Sequence, residues 1–418
     1  MFPELNEPKR YIYLDHAATT PVREEVFEAM KPFFTEDFHN PSGIYEKALG
    51  VRRVLDAARK TVAGLLNTQA ESIIFTSGGT ESCNMAIFGI ARKHAQNGKH
   101  IITSAIEHHA VLHAMEKLEK EGFEVTYLEP NEEGFISRDQ VKKALREDTI
   151  LISIMAANNE IGTVLPIAEI GKEILAWRKE KNTRFPYFHS DACQAGGVYD
   201  LSVERLHVDL LTINSSKLYG PKGVGILYKR RGLQIEPLMQ GGGQEMRLRS
   251  GTENIPGIVG FAKAFDLAQS EREEENKRIM EVREYFWQEL QAKVPKVRLN
   301  GPEFDIEKRL PNNLNISILD IEGEALLLYL DEYGVMCSTG SACTSDSLDP
   351  SHVLLACGLP YEYAHGSIRF TFGKSNTKED VDYLMKFLPE VVQRLREISP
   401  VNLSMDPKEN THPKYHQR

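Results

Sequence analysis

Apolar side chains recur at helical spacing over residues 46–67, where Ala48, Leu49, Val51, Val54, Leu55, Ala58, Val62 and Leu65 share one broad face. The pattern then changes to short apolar runs at Ser72–Thr76, His100–Thr103, Phe123–Leu128, Ile150–Met155, Phe185–His189, Val208–Ile213 and Val224–Tyr228. Helical or loop segments separate them. Such alternation predicts an α/β fold whose mostly parallel sheet is covered by helices on both faces. Sheets of this kind bind ligands at the carboxyl ends of their strands. From about Pro256 the elements are sparser, which suits a smaller α+β domain. They comprise a long charged helix over Phe261–Val294, a run at Asn312–Ile318, a helix over Glu322–Glu332, a run at Ser367–Phe372 and a last helix over Lys378–Ile398. From Ser399 onward the chain is polar, carries Pro400, Pro407 and Pro413, and is expected to be poorly ordered.

With 418 residues, 41% hydrophobic and 26% charged, the chain has the make-up of a globular protein with room for two domains. Its 50 Lys and Arg against 60 Asp and Glu leave a net charge of −10, which argues against a general binder of nucleic acid or anionic membrane. No apolar run approaches the ~18 residues that span a bilayer. Met1–Arg10 also lacks the apolar core of a secretion signal. Five cysteines, Cys83, Cys193, Cys337, Cys343 and Cys357, are too few and too odd in number for a disulfide framework. No C-x-x-C pair suggests zinc. A cytoplasmic enzyme is the expectation.

Three positions carry candidate chemistry. Ser77-Gly78-Gly79-Thr80-Glu81 lies where a strand gives way to a helix, and a helix N-terminus opened by glycine suits an anion. It matches neither the P-loop nor the dinucleotide fingerprint, so a single phosphate fits better. Asp191 ends an apolar run, where a carboxylate caps a helix or holds a protonated heterocyclic nitrogen. Lys217 emerges from another apolar run into the turn Leu218-Tyr-Gly-Pro-Lys-Gly223; desolvation there would lower its pKa as Schiff-base chemistry requires. Pyridoxal phosphate needs a phosphate cup, an acid at its ring nitrogen and a lysine for its aldehyde. These residues alone leave that cofactor and an accidental set of caps and turns equally open.

Longer blocks go further. Tyr13-Leu-Asp-His-Ala-Ala-Thr-Thr-Pro21, Phe75-Thr-Ser-Gly-Gly-Thr-Glu-Ser82, Asn158-Asn-Glu-Ile-Gly162 and Ser216-Lys-Leu-Tyr-Gly-Pro-Lys-Gly223 resemble the cysteine desulfurases of the NifS/IscS family. So do Gly241-Gly-Gly243, Arg249-Ser-Gly-Thr252, Ser338-Thr-Gly-Ser-Ala-Cys-Thr-Ser345 and Ser367-Ile-Arg-Phe370, all in the family's order. The resemblance implies a fold-type-I pyridoxal-phosphate transferase with a large domain around a mostly parallel seven-stranded sheet and a smaller α+β domain. The expected division is an N-terminal arm at 1–20, a large domain at 21–255, a small domain at 256–398 joined by the arm, and a tail at 399–418. It also implies a homodimer that makes L-alanine from L-cysteine and leaves the sulfur as an enzyme persulfide. A sulfur-acceptor protein, either an iron–sulfur scaffold or a tRNA- or cofactor-thiolating enzyme, would then receive it.

Carried over by motif, Lys217 resembles the Schiff-base lysine and Asp191 the partner of the ring nitrogen. Gln194 would contact the cofactor's phenolic oxygen, and Asn159 would orient ring and substrate. Thr80 with the backbone of Gly79 would hold the phosphate, completed by Thr252 of the neighbouring subunit. His108 resembles the imidazole stacked on the ring, a proton shuttle, whereas His109 is expected to be structural. Arg369 with Asn40 resembles the substrate-carboxylate site. Cys343 resembles the nucleophile on a loop of small residues. It would attack as thiolate, and no metal is expected beyond a partner's cluster that it meets in passing. Cys83 and Cys357 are expected to be buried small hydrophobes, and Cys337 structural, with capture of sulfur from Cys343 or a disulfide to it as the alternatives. Cys193 lies too near the cofactor to be dismissed. Where many relatives have Ser-x-His before the lysine, this chain has Asn214-Ser-Ser216, so an imidazole contact to the phosphate is either lost or replaced by the Ser216 hydroxyl. The rival readings are a selenocysteine lyase or other transferase on the same scaffold, and a non-catalytic sulfur-relay scaffold.

Overall fold

The computed structural model describes residues 8–340 and 350–406. Its strands are β1 (Ile12–Tyr13), β2 (Ile73–Thr76), β3 (His100–Ser104), β4 (Glu124–Leu128), β5 (Thr149–Ser153), β6 (Tyr187–Asp191), β7 (Leu210–Asn214), β8 (Gly225–Lys229), β9 (Val297–Leu299), β10 (Asn313–Ile318), β11 (Val335–Met336) and β12 (Ser367–Thr371). Seven of them form one sheet in the order β2-β8-β7-β6-β5-β3-β4. All its neighbours pair in parallel except β8, which is antiparallel to both β2 and β7. The carboxyl ends of β2, β3, β5, β6 and β7 therefore open on one edge. Strands β3, β5 and β6 are buried along their whole length, so their polar side chains must pair within the sheet. His189 bridges the hydroxyls of Ser153 and Thr212 at 2.8 and 3.0 Å.

A second sheet, β12-β10-β9, is antiparallel and anchors a separate apolar core. The arm belongs to this core: β1 pairs in parallel with β11, and Ile12 and Leu14 are buried there. The expected division at 255/256 meets a 39-residue helix, Ile255–Lys293, that serves both cores. Its first turns place Ile255, Ile258, Phe261 and Phe265 against the seven-stranded sheet. Its later turns place Ile279, Val282, Phe286 and Leu290 in the second core.

Two expectations are corrected. The last helix is two, Lys378–Leu384 and Leu388–Ile398, because Pro389 has no amide hydrogen to donate and suits only a first helical turn. Residues 399–406, expected to be loose, are held: Lys296 Nζ donates to Asn402 Oδ1 at 2.7 Å and to the Leu403 carbonyl at 2.8 Å. The Leu403 amide donates to Asp320 Oδ1 at 2.6 Å. Residues 407–418 lie outside the described residues.

At the amino edge of the sheet, opposite the cavity described below, Asp209 is 1% exposed and accepts from the buried Arg178, from the Phe188 amide at 2.8 Å and from Arg230 at 2.9 Å. Asp209→Ala would strand the Arg178 charge. It should cost about 3–5 kcal/mol, read as a lowered thermal unfolding midpoint; an unchanged midpoint would refute the role of this pair in tying β6 to β7.

Candidate active site

The carboxyl edge of the sheet opens into a cavity of about 360 Å³. Strand β2 leads to the helix Gly79–His94, whose first turn brings Gly79 and Thr80 into the cavity wall. A Cβ on Gly79 would stand 2.8 Å from Cys193 Sγ, so only glycine admits this approach. Strand β6 ends at Asp191, which is 7% exposed. Its Oδ1 accepts from the Cys193 amide at 2.9 Å, and its Oδ2 from Cys83 Sγ at 3.5 Å. Strand β7 runs through Asn214 into a short 3₁₀ turn, Ser215–Lys217. Gly220 closes that turn, since a Cβ there would lie 2.2 Å from Ser215 Oγ. Lys217 Nζ donates to the carbonyls of Ala17, at 2.7 Å, and Ala18. Gln194 Nε2 donates to the same Ala17 carbonyl at 3.0 Å. Asn214 and Ser216 line the cavity too, and the Ser216 carbonyl holds the Thr20 amide at 2.8 Å.

His108 caps the helix His109–Lys120 and accepts the Ala110 amide at Nδ1, 3.1 Å away. Burial pulls its pKa down against the opposing charge of Asp191. Arg369, on β12, is 3% exposed. It pairs with Asp15 Oδ1 at 2.7 Å and donates to the Asn159 carbonyl at 2.9 Å, while its Nε has no partner. The cavity wall thus brings together Gly79, Thr80, His108, Asn159, Asp191, Gln194, Asn214, Ser216, Lys217 and Arg369. Asn40 and Thr252 are not among them; both are exposed, and the Asn40 side chain is used in a turn, accepting the Ser42 amide at 2.9 Å. Cys343 lies outside the described residues.

Several groups escaped the sequence reading. His109, expected to be structural, lines the cavity together with His352, their rings 4.8 Å apart. His352 Nε2 is fixed 3.1 Å from the Glu107 carbonyl. Glu160 also lines the cavity and accepts from Ser351 Oγ; burial pushes its carboxyl up to about 7. Glu107 is wholly buried, pushed up to about 8 by burial, and has one oxygen without a partner. Asp15 and Glu160 sit inside the motif blocks quoted above. His352 has no local signal at all. Among the described residues no group of three or more His, Cys, Asp or Glu could hold a metal, and no helix is long and apolar enough to cross a membrane.

The four described cysteines are free thiols. Burial raises the pKa of each, pushing Cys357 up to about 12. The Asp191 carboxylate adds to the effect at Cys83 and Cys193, so Cys193 is a poor nucleophile despite its place in the cavity wall.

Residues 12–384 match the family model for class-V aminotransferases. The chain is 53% identical over 392 residues to a cysteine desulfurase IscS of Dictyoglomus turgidum, covering 94% of this chain and 97% of that one. It is 52% identical over 390 residues to that of Methanosarcina thermophila, covering 93% and 94%. Among solved structures, a NifS-like protein superposes with a TM-score of 0.85 at 36% identity, over 92% of this chain and 100% of the other. SspA in complex with cysteine gives 0.75 at 36% identity, over 86% and 98%. The chain belongs to the class-V aminotransferase family and, within it, to the pyridoxal-phosphate-dependent cysteine desulfurases.

Proposed function

We propose that this desulfurase works as a dimer in which Lys217, Asp191 and the first turn of the Gly79–His94 helix hold the cofactor, Arg369 orients L-cysteine and Cys343 takes up the sulfur. The observation that carries this reading is the convergence of a lysine amine, a buried carboxylate and a glycine-opened helix N-terminus on one cavity. That donor set suits pyridoxal phosphate. The amides of the first turn, opened by Gly79, suit its phosphate, with the Thr80 and Ser216 hydroxyls beside them. Asp191 suits a protonated ring nitrogen, and Gln194 and Asn159 remain for the ring's oxygen and the substrate. Once bound, the cofactor supplies the electron sink for charge at the substrate Cα.

The protein's own groups do the rest. Lys217 Nζ is the amine that takes the Cα proton and returns it. Because His108 Nδ1 accepts a backbone amide, its other nitrogen carries the hydrogen in the neutral ring and serves as donor in the cavity. Arg369 carries five N–H donors, and those left by Asp15 and Asn159, Nε included, meet the substrate carboxylate. The net reaction breaks the substrate C–S bond and forms an S–S bond on the enzyme. A cysteine thiol and L-cysteine become an enzyme persulfide and L-alanine. Cys343 takes this role by its resemblance to the family's loop cysteine, and burial disfavours the thiolate at the four described cysteines. The persulfide sulfur then passes to an acceptor protein in the cytoplasm, an iron–sulfur scaffold or a thiolating enzyme.

The dimer reading rests on exposed apolar side chains. Phe38 and Ile44 are 67% and 92% exposed, flanking Asn40, and Met246 is 43% exposed near Thr252. By resemblance to the family, Thr252 of a second copy would complete the phosphate site.

Lys217→Ala should abolish the visible absorbance of the cofactor; an unchanged spectrum would overturn the lysine assignment. Cys343→Ser should stay coloured yet form no alanine from L-cysteine, and alanine at the wild-type rate would point to another thiol. For Arg369→Ala we expect KM for L-cysteine to rise roughly 10- to 100-fold, the worth of a charged hydrogen bond; an unaltered KM would exclude the carboxylate role. Light scattering at micromolar concentration should give twice the chain mass, and a monomer would refute the dimer.

A further inference from the structure

Cys83 was expected to be a plain buried hydrophobe, and it is fully buried on the helix Gly79–His94. It nevertheless makes a polar contact: its Sγ lies 3.5 Å from Asp191 Oδ2. We propose that Cys83 is a positioning residue for Asp191, whose thiol hydrogen bond fixes the carboxylate and tempers the basicity with which it meets the cofactor's ring nitrogen. This rests on the reading of Asp191 given above.

Three observations support it. Asp191 is held from two sides, Oδ1 by the Cys193 backbone amide at 2.9 Å and Oδ2 by Cys83. The amide belongs to the backbone, so the side-chain levers on this carboxylate are the Cys83 thiol, 3.5 Å from Oδ2, and the Cys193 thiol beside it. Next, Thr80 and Cys83 stand three residues apart on one helix and hence on neighbouring turns of one face. The element that offers its N-terminus to the phosphate also grips the acid at the other end of the ring. Finally, the thiol remains a donor, because burial and then the Asp191 charge hold its proton on. A thiol is a weak donor. It satisfies the second oxygen while leaving that carboxylate more basic than a hydroxyl would. The other titratable groups that act on Asp191 and its two sulfur neighbours are His108, Lys217, Glu107 and His189, and Thr212 is the further polar neighbour of Cys83.

The test is a pH titration of the visible cofactor absorbance in the holoenzyme, comparing wild type, Cys83→Ala, Cys83→Ser and Asp191→Asn. Without the thiol donor, Asp191 holds the ring proton more tightly, and a second positive charge on the same conjugated molecule becomes harder to keep. The midpoint in Cys83→Ala should therefore fall by roughly half a pH unit. Cys83→Ser restores a donor and should return the midpoint to the wild-type value or above it. An unmoved or raised midpoint in Cys83→Ala, or a fall of the same size in Cys83→Ser, would overturn the proposal. Asp191→Asn separates the two levels: it should weaken cofactor retention and displace the midpoint. If it does neither, the assignment of Asp191 itself falls, and if it does both while Cys83→Ala matches wild type, only the role of Cys83 falls.

Discussion

The site depends on a bridge of backbone built by residues 12–20. At one end β1 pairs with β11 and Asp15 pairs with Arg369, both in the smaller core. At the other, the Ala17 and Ala18 carbonyls receive the Lys217 amine, and Thr20 bonds the Ser216 carbonyl. The two cations of the cavity, one from each core, are thus held within a few residues of one strand. The amine rests on neutral carbonyl dipoles, whereas the guanidinium is matched by a full carboxylate. Through these contacts the arm brings side chains of both cores to one cavity.

Around these charges burial works against further ones. It pushes Glu160 in the wall and Glu107 behind it upward toward their protonated forms and pulls His108, His109 and His352 downward toward neutral imidazole. Burial thus favours the uncharged forms of the groups around Lys217, Asp191 and the Arg369–Asp15 pair. In a low-dielectric cavity that economy strengthens the attractions that remain.

Much of this was legible in the chain. Lys217, Asp191 and Gly79-Thr80 each stand where an apolar run ends, and a parallel sheet brings such ends to one edge, so local pattern and topology suffice to find them. Asp15 and Arg369 meet across 354 residues, and His352 reaches the cavity from a segment whose own spacing says nothing of chemistry. Cys83 was read as apolar because burial and hydrogen bonding leave the same trace in a sequence. The break before Pro389 was hidden by apolar spacing that continues across it. The polar residues 399–406 read as loose because their partners, Lys296 and Asp320, lie in another part of the chain.

The 39-residue helix Ile255–Lys293 is about 58 Å long, and it spends its apolar side chains on both cores in turn. No residue between Ala268 and Ile279 belongs to either apolar core, so the middle of the helix is a stiff rod and not apolar packing surface. The spacing of the two cores, and with it the distance between the walls that carry Lys217 and Arg369, is set by the pitch of that rod and not by a flexible linker.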